Sequence, residues 1–161
     1  MAASGDCGSL AGTAAVVTGG DGVLGLACAR RLAADGAVVT ICGTAERLLK
    51  ESADAYGLGY AVADVTEEDQ VDDVLAAAGA SDPLRIVIAA AGGSSSIGPV
   101  SRLNIAGWRA TLDLIATGTM VTLKYAAREM ARAGGGSFVL CRLLHGRTRS
   151  HVDVAALSRL L

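Results

Sequence analysis

The fold predicted for this chain depends on one stretch, Thr18-Gly19-Gly20-Asp21-Gly22-Val23-Leu24-Gly25. It follows an apolar run at 14–17 that is typical of a short buried strand, and it precedes residues 23–32, where apolar residues recur at helical spacing. Gly20, Gly22 and Gly25 have the spacing Gly-x-Gly-x-x-Gly, which indicates a phosphate-binding loop when it lies on a strand-to-helix turn. Such glycines allow a tight turn, the approach of backbone to a pyrophosphate, and packing of the helix on the strand. The alternative is a tight turn in a glycine-rich protein, without a ligand.

The composition indicates a single globular domain. The chain has 161 residues, of which 52% are hydrophobic and 19% are charged. Its net charge of −2 argues against a nucleic-acid-binding surface, which would be basic. No run approaches the roughly 18 apolar residues of a membrane span, and residues 1–10 lack the apolar core of a secretion signal. We therefore expect a cytoplasmic protein with neither nucleic acid nor membrane as a partner.

The cysteines predict neither a metal site nor a disulfide framework. Cys7, Cys28, Cys42 and Cys141 do not have the spacing of metal ligands or of a disulfide-rich scaffold. Cys28 and Cys42 lie in apolar elements, where reduced cysteines act as small hydrophobic residues.

Strand and helix patterns alternate along the chain, with no internal repeat. This alternation predicts a doubly wound parallel α/β sheet of about five strands with helices on both faces. Gly36 is placed to end the first helix, and Thr66 to begin the third. The predicted strands are 14–17, 37–42, 58–63, 85–90 and 137–141. The predicted helices are 23–32, 45–56, 66–78 and 109–132, the last of them bent near 117–118.

Several short motifs accompany this alternation. They are Leu10-Ala11-Gly12, Thr18-Gly19, Asp64-Val65, Ala91-Gly92, Thr117-Gly118-Thr119 and Gly135-Gly136-Ser137. With these motifs, residues 9–141 resemble the amino-terminal part of a short-chain dehydrogenase/reductase, whose dinucleotide-binding domain has a Rossmann-type fold. The commonest family pattern has Gly where Val23 stands. The pattern Thr-Gly-x-x-Gly-x-x-Gly of the family's longer members fits residues 18–25 directly.

The resemblance implies an NAD(P)-dependent oxidoreductase that acts on an alcohol or carbonyl compound. By position, the glycine turn would hold the pyrophosphate, Asp64 would accept a hydrogen bond from the adenine amino group, and residues 90–92 would line the path to nicotinamide. For Asp64, a helix-capping role before Thr66 is the alternative. The implied cofactor-binding residues are Gly19, Gly20, Asp21, Gly22, Val23, Leu24, Gly25, Thr44, Asp64, Val65, Ala90, Ala91 and Gly92.

The sequence favours NADP slightly over NAD. A site for NAD has an acid near the end of the second strand, which binds the ribose 2′-hydroxyl. Here Gly43-Thr44 ends that strand without an acid. Arg47, one helical turn further on, is close enough in sequence to reach a 2′-phosphate, although a solvated helix arginine is the alternative. Ala89 and Ala90 replace two asparagines of the family motif, so we expect the hydrogen bonds that tie the fourth strand to its neighbours to be lost.

The catalytic positions implied by the resemblance are empty. The family uses an Asn, a Ser, a Tyr and a Lys, which must lie within hydrogen-bond reach of one another for general acid–base catalysis. Ile115 stands at the Asn position and Leu143 at the Ser position; Ala155 or Ala156 stands at the Tyr position, and Arg159 or Leu160 at the Lys position. We therefore predict no catalytic residue. His145 is a weak candidate for a proton donor, and an exposed loop histidine is the alternative.

Residues 142–161 diverge from the family pattern and are rich in arginine. We interpret this tail as the product of a truncated or frame-shifted reading of a longer gene. The fifth strand would then be a sheet edge and the long helix would have a bare apolar face, which predicts a homo-oligomer. Three functions remain open: an oxidoreductase, a non-catalytic dinucleotide-binding module, and a truncated product without function.

Overall fold

The computed structural model describes residues 9–141, along which strands and helices alternate. The strands are β1 (Ala14–Thr18), β2 (Val38–Gly43), β3 (Gly59–Val62), β4 (Leu84–Ala89) and β5 (Ser137–Leu140). The helices are α1 (Val23–Ala34), α2 (Glu46–Tyr56), α3 (Glu68–Ala78), α4 (Ile105–Leu112) and α5 (Gly118–Arg132).

The five strands form one parallel sheet in the order β3-β2-β1-β4-β5. From β1 the chain proceeds outward through β2 to β3 and then returns to place β4 on the opposite side of β1. The strand order therefore reverses between β1 and β4, which is where open α/β sheets form a crevice at the carboxyl ends of their strands. The predicted doubly wound fold is confirmed.

Apolar side chains cover both faces of the sheet. Every residue of β1 is buried, as expected for a central strand of a parallel sheet. On one face Val17 packs in a cluster with side chains of α1 and α2, including Leu49. On the other face Val16 packs in a cluster with side chains of α3 and α5, including Leu75. Because successive side chains of a strand point to opposite faces of the sheet, β1 contributes to the packing of helices on both faces.

The predicted long helix begins earlier and is interrupted. It starts at Ile105 rather than at residue 109, because the Asn104 side chain caps it: Asn104 Oδ1 accepts hydrogen bonds from the N–H groups of Ala106 (2.8 Å) and Gly107 (3.2 Å). A π-helical turn, Asp113–Thr117, then separates α4 from α5. The sequence prediction that the helix is broken or bent near residues 117–118 is therefore confirmed as an interruption.

Polar contacts on the outer surface join α5 to α3. The Arg128 guanidinium pairs with the Asp72 carboxylate, and the Tyr125 hydroxyl donates to Glu68 Oε2 at 2.8 Å. Hydrogen bonds from Lys124 and Tyr125 lower the pKa of the Glu68 carboxyl group. All these groups are solvated, so they orient α5 more than they stabilise the fold.

The edge predicted at β5 is present. Within residues 9–141, β5 pairs with β4 on one side and with no strand on the other. Val139 and Leu140 are more than two-fifths exposed, and Met120 on α5 is 61% exposed. Apolar surface is thus available at this end of the sheet.

Leu49 and Leu48 provide a test of how the core stabilises the fold. Leu49 is fully buried between α2 and the sheet, whereas the adjacent Leu48 is 39% exposed. We expect Leu49→Ala to lower the free energy of unfolding by about 2–5 kcal/mol through lost burial and a cavity, and Leu48→Ala to lower it by less than about 1 kcal/mol. Chemical denaturation measures both. Equal losses would contradict the placement of α2.

Candidate functional site

A cleft of about 450 Å³ opens at the carboxyl ends of the strands, where the strand order reverses. It gathers the glycine turn between β1 and α1 with the segments that follow β2, β3 and β4 and with the region where α4 meets α5. Predicted residues that line it are Gly19, Asp21, Gly22, Thr44, Asp64, Val65, Ala90, Ala91 and Gly92. Lining residues that the sequence analysis missed are Gly43, Ala63, Thr66, Ser95, Ala110, Asp113 and Leu114.

The glycines of the turn have different roles. Gly19 has φ +66°, and a Cβ there would lie 2.7 Å from the backbone of Ala90 and Ala91. A Cβ at Gly25 would collide with the Gly19 carbonyl oxygen, and one at Gly20 would collide with the Ile41 side chain. Gly19 therefore lets the turn approach the end of β4, while Gly25 lets α1 pack on the turn.

Gly22 has no such packing role. It is exposed, and a Cβ there would meet only the Gly19 carbonyl oxygen, at 3.3 Å. The first helical hydrogen bond runs from the Leu26 N–H to the Gly22 carbonyl oxygen at 3.0 Å, so the N–H groups before Leu26 lack an intrahelical acceptor. The side chains of Val23 and Leu24 are exposed and do not line the cleft. Of these two predicted cofactor-binding residues, only the backbone forms part of the turn.

Thr18 ties the end of β4 to β1. Its buried hydroxyl oxygen accepts hydrogen bonds from the N–H groups of Ala90 and Ala91, each at 3.2 Å. The Cys141 N–H donates to the Ala89 carbonyl oxygen at 2.9 Å on the other side of β4. The expectation that this segment loses its ties because Ala89 and Ala90 replace asparagines is wrong, since a threonine on the neighbouring strand and backbone groups supply the bonds.

Asp64 is half-buried at the cleft, in a local turn. Its Oδ1 accepts from the Thr66 N–H (2.9 Å) and from the Thr66 hydroxyl (2.8 Å), and its own N–H donates to Gln70 Oε1 (2.9 Å). Helix α3 starts at Glu68, and its boundary residue Glu67 makes no side-chain cap. Thr66 therefore does not cap α3 as predicted, because it lies one residue before the boundary residue Glu67. Among the described residues, Asp64 Oδ2 has no hydrogen-bond partner.

A carboxylate lies at the end of β2, although the sequence analysis expected no acid there. Asp21, from the glycine turn, accepts a hydrogen bond on Oδ2 from the Ala45 N–H at 3.2 Å. Its Oδ1 lies against Gly43, where a Cβ would approach to 2.6 Å. Burial, together with the charge of Asp21, raises the pKa of the Cys42 thiol to about 12, which leaves that thiol unreactive.

Arg47, the candidate for binding a 2′-phosphate, is paired elsewhere. Its Nη1 lies 2.7 Å from Glu51 Oε1, one turn along α2, and both side chains are solvated. The residues that line the cleft include three acids, Asp21, Asp64 and Asp113, and neither Lys nor Arg. The cleft therefore carries negative side-chain charge.

Ile115, the residue that the sequence analysis aligned with the family's asparagine, lies on the π-helical turn. Its carbonyl oxygen accepts a hydrogen bond from the Thr119 hydroxyl at 2.6 Å, and its side chain does not line the cleft, unlike its neighbours Asp113 and Leu114. Leu143, His145, Ala155, Ala156, Arg159 and Leu160 lie outside the described residues. In the part of the chain from 9 to 141, no group of three or more His, Cys, Asp or Glu side chains is placed to hold a metal ion. No helix in that part has both the length and the apolar character needed to cross a membrane.

The chain is similar to known dehydrogenases over most of its length. The cis-4-hydroxycyclohexanecarboxylate dehydrogenase of Sinomonas cyclohexanicum is 35% identical over 132 residues, which are 78% of this chain and 52% of that protein. The oxidoreductase asL5 of Sarocladium schorii is 30% identical over 141 residues, 86% of this chain and 57% of that protein.

A similar solved structure is a short-chain type dehydrogenase/reductase from Mycobacterium ulcerans. It superposes with a TM-score of 0.86 at 33% identity and covers 94% of this chain and 59% of its own. The chain thus spans little more than half the length of these three relatives. The model of the family described as short chain dehydrogenase matches residues 13–152, which include all five strands of the sheet. The chain therefore belongs to the short-chain dehydrogenase family.

Proposed function

We propose that the cleft binds a nicotinamide dinucleotide, and that the chain is the nucleotide-binding part of an oxidoreductase acting on an alcohol or carbonyl compound. The observation that carries this proposal is the convergence of the glycine turn, Asp64 and residues 90–92 on one cleft at the reversal of strand order. The cytoplasmic location expected from the sequence belongs to the same proposal. The relative named for a hydroxycyclohexanecarboxylate supports an alcohol as the substrate class.

The residues present fit such a cofactor. The start of α1 has unsatisfied N–H groups and no acidic residue in its first turn, as suits a pyrophosphate. Asp64 Oδ2 is available to accept from the adenine amino group, since only Oδ1 is engaged with Thr66. The volume of about 450 Å³ lies within the ordinary range for ligand pockets. When bound, the dinucleotide supplies the hydride acceptor or donor, and the residues of the chain position it.

The preference for NADP that the sequence suggested has little support in these contacts. It depended on Arg47 and on the absence of an acid at the end of β2, whereas Arg47 pairs with Glu51 and Asp21 lies at that end. The proposed function as such requires only that one of the two dinucleotides binds.

A non-catalytic dinucleotide-binding module is the second candidate. Aligned on Thr117-Gly118-Thr119, Ile115 of the π-helical turn takes the position of the family's asparagine, and an isoleucine side chain can neither donate nor accept a hydrogen bond. This observation favours binding without turnover. It does not affect the glycine turn or Asp64, so both candidates share the same cofactor site.

Gly22→Val tests the cofactor site. The backbone at Gly22 is extended, a conformation that valine adopts readily, so we expect the variant to fold. A branched side chain would occupy the space beside the pyrophosphate and weaken NADH or NADPH binding by at least about tenfold. Nucleotide fluorescence titration measures the affinity. The control is Ala76→Val, which also creates a β-branched side chain, on the exposed side of α3 outside the cleft. Equal affinities for wild type and Gly22→Val would exclude the proposed site.

The chain as given is expected to bind cofactor without family-like hydride transfer. Loss of a positioned acid or base costs on the order of 10² to 10⁴ in rate, and the alanine at the family's tyrosine position, Ala155 or Ala156, supplies neither. A substrate screen with alcohols and ketones, followed at the nicotinamide absorbance band with both dinucleotides, measures the rate. Turnover that persists after removal of contaminating dehydrogenases would contradict this expectation. His145→Ala would then show whether His145 is the proton donor.

We also propose that the chain forms a homo-oligomer through its exposed apolar surface. Met120 on α5 and Val139 and Leu140 on β5 contribute to that surface. We expect light scattering to show a mass that rises with protein concentration, and Met120→Lys to shift the distribution toward the monomer. A monomer at all concentrations would refute this part of the proposal.

A further inference from the structure

Asp21 belongs to the glycine turn by sequence, but its carboxylate lies at the end of β2. Oδ2 accepts from the Ala45 N–H at 3.2 Å, and Oδ1 rests on the Cα of Gly43. Asp21, Gly43 and Thr44 line the same part of the cleft. The carboxylate therefore stands where Rossmann domains place the acid that binds the adenosine ribose, although it comes from a different element.

Local structure holds this carboxylate in place. Helix α2 begins at Glu46, and its boundary residue Ala45 has no side chain that could cap the helix. Asp21 satisfies the Ala45 N–H instead, at the helix end that favours negative charge. Gly43 provides the room, since any Cβ there would displace the carboxylate. Burial raises the pKa of the neighbouring Cys42 thiol, and the charge of Asp21 raises it further.

Among the described residues, 9–141, no Lys or Arg side chain lines the cleft to offset that charge. Asp64 and Asp113 add further acids to the lining. Arg47 forms its ion pair with Glu51 at 2.7 Å. A 2′-phosphate brought to the end of β2 would therefore meet a carboxylate without a compensating positive charge. Ribose hydroxyls, by contrast, can donate to a carboxylate, which offers about four acceptor sites of which the Ala45 N–H uses one.

We propose that Asp21 makes the cleft selective for the 2′-hydroxyl of NAD(H) over the 2′-phosphate of NADP(H). The inference rests on the proposed dinucleotide site and assigns Asp21 as the residue that determines cofactor specificity. It reverses the slight preference for NADP drawn from the sequence, because that preference assumed that no acid reaches the end of β2.

The test is a titration of the full chain with NADH and with NADPH. Calorimetry and nicotinamide fluorescence measure the binding. Wild type is expected to bind NADH at least about tenfold more tightly than NADPH, given the repulsion between like charges at short range. Asp21→Asn keeps an oxygen that can accept from Ala45 and removes the charge. We expect it to strengthen NADPH binding about tenfold and to weaken NADH binding, because the ribose hydroxyls lose a charged acceptor.

Two further variants separate the charge of Asp21 from other effects. Asp54→Asn removes the same charge from the exposed side of α2, outside the cleft, and should leave the ratio of the two affinities within about twofold of wild type. Arg47→Ala should leave NADPH affinity unchanged, whereas a weaker affinity would support the phosphate-binding role considered from the sequence. Thermal unfolding of each variant checks that it folds, and the wild-type ratio is informative even if Asp21→Asn does not fold.

The outcomes distinguish the inference from the proposed function. Equal or tighter binding of NADPH by wild type overturns the inference and leaves the dinucleotide site standing. If Asp21→Asn still prefers NADH, the role assigned to Asp21 is overturned, whereas the preference for NADH and the dinucleotide site stand. Binding of neither dinucleotide overturns both.

Discussion

The structure depends on the close approach of the glycine turn to the end of β4. The turn can lie against the backbone of Ala90 and Ala91 only because Gly19 has no side chain, and the Thr18 hydroxyl fixes the approach with two hydrogen bonds. These contacts join the first strand to the fourth across the point where the strand order reverses. The cleft exists because the two strand ends are held together there while α1 and the segments after β2 and β3 surround them.

The fold was predictable from the sequence because its signals are local. The buried strand at 14–17, the glycines after it and the apolar spacing of the helices each extend over a few residues, and together they allow few topologies. The interruption of the long helix near residue 117 was also visible. Its start at Ile105 was not predicted, because it is marked by a single capping side chain, that of Asn104.

The sequence predicted most of the residues that line the candidate site, but not the hydrogen bonds that their side chains form. Most of the predicted residues line the cleft, yet Thr18 was treated only as a motif landmark and Asp21 only as backbone. Their roles depend on partners 72 and 24 residues away in the chain, which periodicity and spacing do not encode. The side-chain oxygens of Asp64 show the same limit. The turn with Thr66 follows from neighbouring residues, whereas the exposure of Oδ2 to the cleft depends on how β3 sits in the sheet.

Binding and chemistry are supported by separate parts of the chain. The contacts around the cleft lie within residues 18–92 for the most part, whereas the catalytic positions predicted from the sequence are Ile115, on the π-helical turn, and positions beyond residue 141. The backbone of that turn is ordered around the Ile115 carbonyl even though the side chain is apolar. A change at the catalytic positions can therefore leave the fold of the nucleotide-binding half unaffected.

The hydrogen bond from the Ala45 N–H to Asp21 makes the start of α2 depend on a residue of the glycine turn. Replacing Asp21 with a basic residue would therefore do two things at once: introduce a phosphate-binding charge and leave α2 without its cap. An evolutionary or engineered route to the other cofactor would be epistatic. Ala45→Ser or Ala45→Asp could come first, because such a side chain would accept from N–H groups within the first turn of α2 and offset the loss of the acceptor for the Ala45 N–H. Gly43 would be free to acquire a side chain only after the carboxylate had gone. The order of substitutions, and not only their identity, would decide which intermediates fold.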